Sequence, residues 1–397
     1  MTIWLFALVL LGLSALIGYA QGGIRVGISF LGLLLSAALA IPLSPLIKPL
    51  LPVFGWKHPL WAPILPPVVV FIFLMIIFKV VAQAVHSKVS IFYKYKTDDK
   101  TCIKWERLNH RLGMSLGFVH GATYFILILV PIYVAGYFTT QVASGAQDPA
   151  RIRFINQTRE QMHASKVDKV VAAYDPASKD YYEASDIAGL LKNNPLLISR
   201  LARYPVFLSI SERKEFQDLA NDIELHNMIQ SQAKTLDILN HASMQTIVTN
   251  PVTAAEISQL VRPDLKDLHG YLLTAKSEKY DDEKILGYWT VDINATVDQE
   301  KVANPKITPF EKQRLKQTKY ALIRGVTFVA TTDGKAILKN KPPGVGTSTT
   351  VLSEGTWKSV GSSYEVTFGG KILPVTFENG QLVVPNSEMT FVFEKEM

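Results

Sequence analysis

Histidine is the side chain that most often supplies acid–base chemistry or metal ligation near neutral pH. The chain holds eight, at positions 58, 86, 110, 120, 163, 226, 241 and 269. None follows His269 and no G-x-S-x-G elbow occurs, so a histidine-based triad has no place in the C-terminal section. No P-loop, G-x-G-x-x-G or H-E-x-x-H is present either. His163, His226, His241 and His269 stand singly, without the spaced partners of a metal site, and read as ordinary surface or core residues. Asp281, Asp282 and Glu283 read as a solvated turn, and the single Cys102 excludes both an intramolecular disulfide and a cysteine-based zinc site. The expectation is a non-enzymatic protein with no metal and no cofactor.

The segments that would position such groups are led by four apolar runs, Ile3 to Tyr19, Val26 to Leu46, Trp61 to Phe78 and Leu112 to Phe138. About 20 apolar residues at ~1.5 Å rise span a ~30 Å hydrocarbon core, so each run reads as a membrane helix. None contains Asp or Glu, and the carboxylate relay common in proton-coupled transport is therefore missing. His120 is the titratable side chain placed to enter the fourth helix. It either packs beside neighbouring glycines or lines a polar path, which keeps an oligomeric small-solute transporter or channel as the alternative function.

The chain has 397 residues, 48% of them hydrophobic, and a net charge of +7. That charge lies in the apolar part: up to Thr140 there are 11 Lys and Arg against 3 acids, while the remainder is nearly balanced. No soluble segment carries a basic stripe, so nucleic acid is not expected as a partner and anionic lipid is. The most basic stretch is residues 86–112. Its first part, VHSKVSIFYKYK, suits an interfacial helix or a solvated linker. The positive-inside rule puts 86–112 in the cytoplasm together with the Gln21 to Arg25 turn, Arg25 and Arg111 marking that side and both termini lying outside. The first run reads as a span rather than a cleaved signal, because MTIW lacks a basic side chain and the second run follows within a few residues. A proline-rich loop from Ile41 to Pro63 carries Trp56 and Trp61, residues suited to a membrane interface.

Gly113, Gly117 and Gly121 recur every four residues and form a stripe without side chains, onto which another helix can pack closely. Gly32 of the second run is the expected seat, in an intramolecular pair or a homo-oligomer seam. Gly18, Tyr19, Gly22, Arg25 and Gly32 together resemble the turn and second helix of the colicin V production (CvpA) family. Leu108, Asn109, Gly113, Gly117 and Gly121 resemble that family's second signature. His110 stands where an arginine is usual, and His120 where members often have a basic residue. The resemblance covers about residues 1–140 and implies a multi-pass protein of the bacterial inner membrane, involved in toxin (colicin V) production or export, or in envelope maintenance.

Beyond the membrane part, residues 141–280 read as an extracytoplasmic domain of short helices punctuated by Pro195, Pro205, Pro251 and Pro263. Three units within it, NNPLLISRLARYP, NDIELHNMIQSQ and NHASMQTIVTNP, loosely resemble the small helical repeats of co-chaperone peptide-binding domains, which implies a protein or peptide partner; the other reading is a plain helical linker domain with its own small core. From residue 281 to 397 the apolar period becomes two, as at Tyr364, Val366 and Phe368, with turns at Asp333-Gly334, Gly369-Gly370 and Asn379-Gly380. Strands near 287, 325, 335, 348, 363, 371, 380 and 388 make about eight, enough for an antiparallel meander to close into a barrel. Gly287-x-Trp289 resembles the first strand of lipocalin-like barrels. Trp289 and Trp357 are assigned to the barrel, whose role would be binding. The fold class is thus multi-domain: an all-α four-helix transmembrane domain (1–140), a short-helix segment (141–280) and an antiparallel lipocalin-like β-barrel (281–397).

Overall fold

The computed structural model describes residues 2–50, 61–303, 305–323, 325–340, 349–385 and 390–396. Trp56 and most of the C-terminal half of the proline-rich loop lie outside the described residues. The chain folds as two compact units. One comprises Met1–Ser185 with Lys234–Leu236 and Val248–Ala254; the other comprises Asp186–Ala233, Asp237–Ile247 and Ala255–Met397. The expected 141–280 segment is therefore shared between them.

In the first unit, helices α1 (Thr2–Gln21), α2 (Gly23–Leu43), α3 (Trp61–Lys96) and α4 (Asp99–Gln141) are each long and apolar enough to cross a membrane. Their largest exposed apolar side chains, such as Leu8, Leu16, Phe73 and Ile76, form the outside of the bundle, as expected where lipid replaces water. α3 and α4 are longer than the apolar runs alone suggested. No glycine or proline interrupts the chain between Phe78 and Lys96, so the basic VHSKVSIFYKYK stretch continues α3 instead of forming a separate interfacial helix or linker. Asp98 then caps α4 by accepting the Thr101 N–H at 3.1 Å.

α1 packs antiparallel on α4, with Gly18 against Gly113, Phe6 against Phe125 and Ile3 clustered with Leu129. α2 packs on α3. Beyond the start of α1, α4 is covered by helices Ala150–Ala164 and Asp168–Ala172; Met162, Val171 and, between the two helices, Val167 share the buried cluster of Ile3 and Leu129. The Arg159 guanidinium lies 4.6 Å from the Tyr137 ring centre, and its aliphatic stem stands over the Cβ-free surface of Gly136.

In the second unit, Ile187, Leu197, Tyr204, Val206, Leu265, Leu268 and Leu272 from short helices form one core. Eight strands follow: β1 (Gly287–Val291), β2 (Val326–Ala330), β3 (Lys335–Asn340), β4 (Thr350–Val360), β5 (Ser363–Phe368), β6 (Lys371–Glu378), β7 (Gln381–Pro385) and β8 (Thr390–Lys395). They form a closed antiparallel barrel in sequence order, β8 returning to β1 through Trp289↔Lys395 and Val291↔Phe393. Closure removes the exposed edges an open meander would leave. Two of the tight turns have positive φ at both central residues, Gly369-Gly370 and Asn379-Gly380, the twist that two-residue hairpins require. Helices Ile293–Ala303 and Pro309–Ile323 are inserted between β1 and β2.

Candidate functional site

The corner between α1 and α2 is built by backbone geometry and closed by α4. Gly22 has φ 82° and ψ 154°, a conformation glycine adopts without strain. Any side chain there would also strike Asn109. Every helix end leaves unpaired donors or acceptors, which are costly away from water. Two adjacent residues of α4 meet both ends of this corner. Asn109 Oδ1 accepts the Ile24 N–H at the start of α2, at 3.2 Å, and His110 Nδ1 lies 2.6 Å from the Tyr19 carbonyl near the end of α1. A carbonyl only accepts, so His110 Nδ1 carries the proton.

The glycine stripe faces α1, and this corrects the pairing expected with Gly32. A methyl on Gly18 would overlap the Gly113 carbonyl, and one on Gly117 would overlap the Ser14 carbonyl. One on Gly121 would stand 2.7 Å from Ser14 Cβ. Gly32 instead receives the Phe78 ring of α3. The reason is register: the corner at Gly22 brings α1 alongside the α4 glycines and turns α2 toward α3. The seat formed by Ser14 and Gly18 on α1 has no spacing that separates it from any other small residues of an apolar helix.

His120 is buried on α4 between Phe30 of α2 and Tyr124, with ring centres 5.7 Å and 4.6 Å away, and its Nε2 has no hydrogen-bond partner among the described residues. The Nδ1 of His86 on α3 is likewise buried without a partner among the described residues. Arg25 is half-buried on the first turn of α2, and Arg111 is exposed on α4. Among the described residues, no group of three or more His, Cys, Asp or Glu side chains is placed to hold a metal ion.

Among known families, residues 5–102, which hold most of the first three helices, match the family model described as Colicin V production protein. Over that stretch the chain is similar to this family. No curated protein and no solved structure matches the chain. The matched stretch contains the Gly18 to Arg25 corner and Gly32 but stops before Asn109 and the α4 glycines. The role of those α4 residues therefore rests on their contacts with the first two helices.

In the barrel, Trp289 is fully buried and its Nε1 donates to the Ile285 carbonyl at 2.7 Å. Lys395 Nζ lies 5.6 Å from its ring centre. Trp357 is partly buried, donates to the Thr331 carbonyl at 2.9 Å, and stands edge-on to Tyr364. These two aromatics share one interior cluster with Phe328, Val366, Val375, Leu382 and Phe393. On the outer wall, Leu208 packs on Val329 and Ile337 beside a polar group that residue patterns did not reveal. Lys339 Nζ lies 2.6 Å from Glu212 Oε1, Tyr288 OH donates to the same carboxylate at 3.2 Å, and Ser211 Oγ is 2.5 Å from Tyr288 OH. Burial, with the Glu212 carboxylate beside it, pushes the Tyr288 phenol well above its usual range. Glu212 and Lys339 are 127 residues apart, beyond the reach of any local motif.

Proposed function

We propose that the chain is a non-enzymatic protein of the bacterial cytoplasmic membrane, anchored by α1–α4. Residues 86–112 face the cytoplasm, and the later helices and the barrel stand outside as a binding module. That module serves toxin (colicin V) production or export, or envelope maintenance. The observation that supports the orientation is charge: seven Lys and Arg against three acids lie between residues 86 and 112, at the same end of the bundle as Arg25. Fusion of a phosphatase after Thr140 and at Asp98 tests it. Activity is expected after Thr140 only, and activity at Asp98 overturns the topology.

The lipocalin-like reading of the barrel belongs to this proposal and is supported by Trp289 lying beneath Lys395 in the packed interior. With that interior occupied by side chains, binding of a protein or peptide uses the outer wall, where Leu352 and Ile372 are exposed. A second reading, passage of a small solute through the helices, is favoured by the buried unpartnered His120 Nε2. Replacing His120 by alanine leaves solute permeability unchanged under the binding reading and alters it under the transport reading.

A further inference from the structure

The feature left unexplained by the bundle is the pair of helix ends that outrun it. The α1–α4 register sets Gln21, the end of α1, level with about residue 110 of α4. Residues Asp99 to Leu108 therefore extend past the corner by roughly 15 Å at 1.5 Å per residue. Gly32 against Phe78 likewise leaves the last turns of α3, from Lys88 to Lys96, about 13 Å beyond the start of α2. The stacked rings of Tyr93 and Trp105, 4.8 Å apart at 10°, hold the two overhangs together. Lys88, Lys94, Lys96, Lys100, Lys104, Arg107 and Arg111 are all exposed there, and among the described residues no carboxylate forms an ion pair with any of them. Ile91, Phe92 and Leu108 are also exposed, the last at 57%.

We propose that the paired ends of α3 and α4, residues 88–111, are a binding surface for the phosphate headgroups of anionic phospholipids in the chain's own bilayer. The inference rests on the membrane reading but not on its orientation. A headgroup layer is about 5–7 Å thick on each side of the hydrocarbon core, which takes in Leu108, Ile91 and the base of the overhang. The remaining cations lie within about one to two Debye lengths of the surface. Exposed cations in that zone are attracted to an anionic leaflet, and apolar and aromatic side chains are at home at this depth but costly in bulk water.

Cys102 lies within this surface and is the only cysteine, so it reports on the overhang without an added probe site. The full chain is placed in nanodiscs of phosphatidylcholine alone or mixed with phosphatidylglycerol, and the alkylation rate of Cys102 by a neutral maleimide is followed. Phosphatidylglycerol slows alkylation at least threefold. The slowing disappears in the combined Lys94→Gln, Lys96→Gln, Lys100→Gln, Lys104→Gln variant and persists when the same four become Arg. Equal rates in the two bilayers overturn the proposal. So does slowing that survives the glutamine changes, or slowing seen only when an acidic soluble protein is added. Both faces of a nanodisc are open to reagent, so a reversed topology in the phosphatase fusions leaves this result unaffected.

Discussion

At the residue scale, the membrane domain depends on where side chains are missing. Gly18, Gly113 and Gly117 bring the α1 and α4 backbones into direct contact, and lipid cannot supply the dispersion energy of that contact. Leucine at position 117 overlaps the Ser14 carbonyl, and overpacking of this kind costs about 1–3 kcal/mol even where neighbours yield. In a Cys102→Ser background carrying Phe6→Cys and Phe125→Cys, whose parent rings are 5.9 Å apart, oxidation should crosslink α1 to α4 efficiently. Adding Gly117→Leu should cut that crosslink about tenfold. An unchanged yield means the stripe is not a packing face.

At the element scale, two polar clusters join pieces of chain far apart in sequence. The Glu212–Lys339 pair is mostly buried, and breaking such a pair strands a charge away from water at a cost of about 3–5 kcal/mol. Lys339→Met should lower the urea midpoint of the full chain in detergent, and adding Glu212→Gln should restore more than half of the loss, because the stranded charge is then removed. Asp267 shows the opposite balance. Burial alone would raise its pKa, but hydrogen bonds from Ser277 Oγ, Tyr204 OH and the backbone of Lys279 and Glu278 together hold the carboxyl below the usual carboxylate range. A depressed folded-state pKa means that the stabilisation is fully present above the unfolded value of about 3.9 and is lost as pH falls through the lower folded value. Tyrosine fluorescence during acid titration should show this core loosening below about pH 4. Asp267→Asn should flatten that acid dependence while lowering stability at neutral pH.

At the scale of the whole molecule, α4 belongs to more than the bilayer. Its C-terminal part is buried by Met162, Val167 and Val171, and Tyr181 OH donates to the Val134 carbonyl at 2.6 Å. A fragment ending at Thr140 exposes Leu129 and Ile3, whereas one ending at Ser185 keeps them covered. Burying each such side chain is worth about 1.5–3 kcal/mol, so the longer fragment should melt several degrees higher in detergent. Equal melting temperatures would mean that the helices after Gln141 add nothing to the membrane unit.

The amino-acid sequence by itself determined the elements whose signals are local. Four apolar runs set the membrane helices, strict alternation and paired-residue turns set the eight strands, and Gly18, Gly22 and Arg25 carried the family resemblance that residues 5–102 bear out. Hydrophobic length and period are read within one segment, which is why they were legible. Partnership was not. Whether the Gly113 stripe meets Gly32 or Gly18 depends on the register of two helices about 95 residues apart, and the contacts of α1 with α4 decide it. The same holds for the capping of both sides of the corner by Asn109 and His110, and for the Glu212–Lys339 pair against the barrel wall. Each needs groups distant in the chain to satisfy one another's hydrogen bonds and charges, and only the folded chain selects which they are.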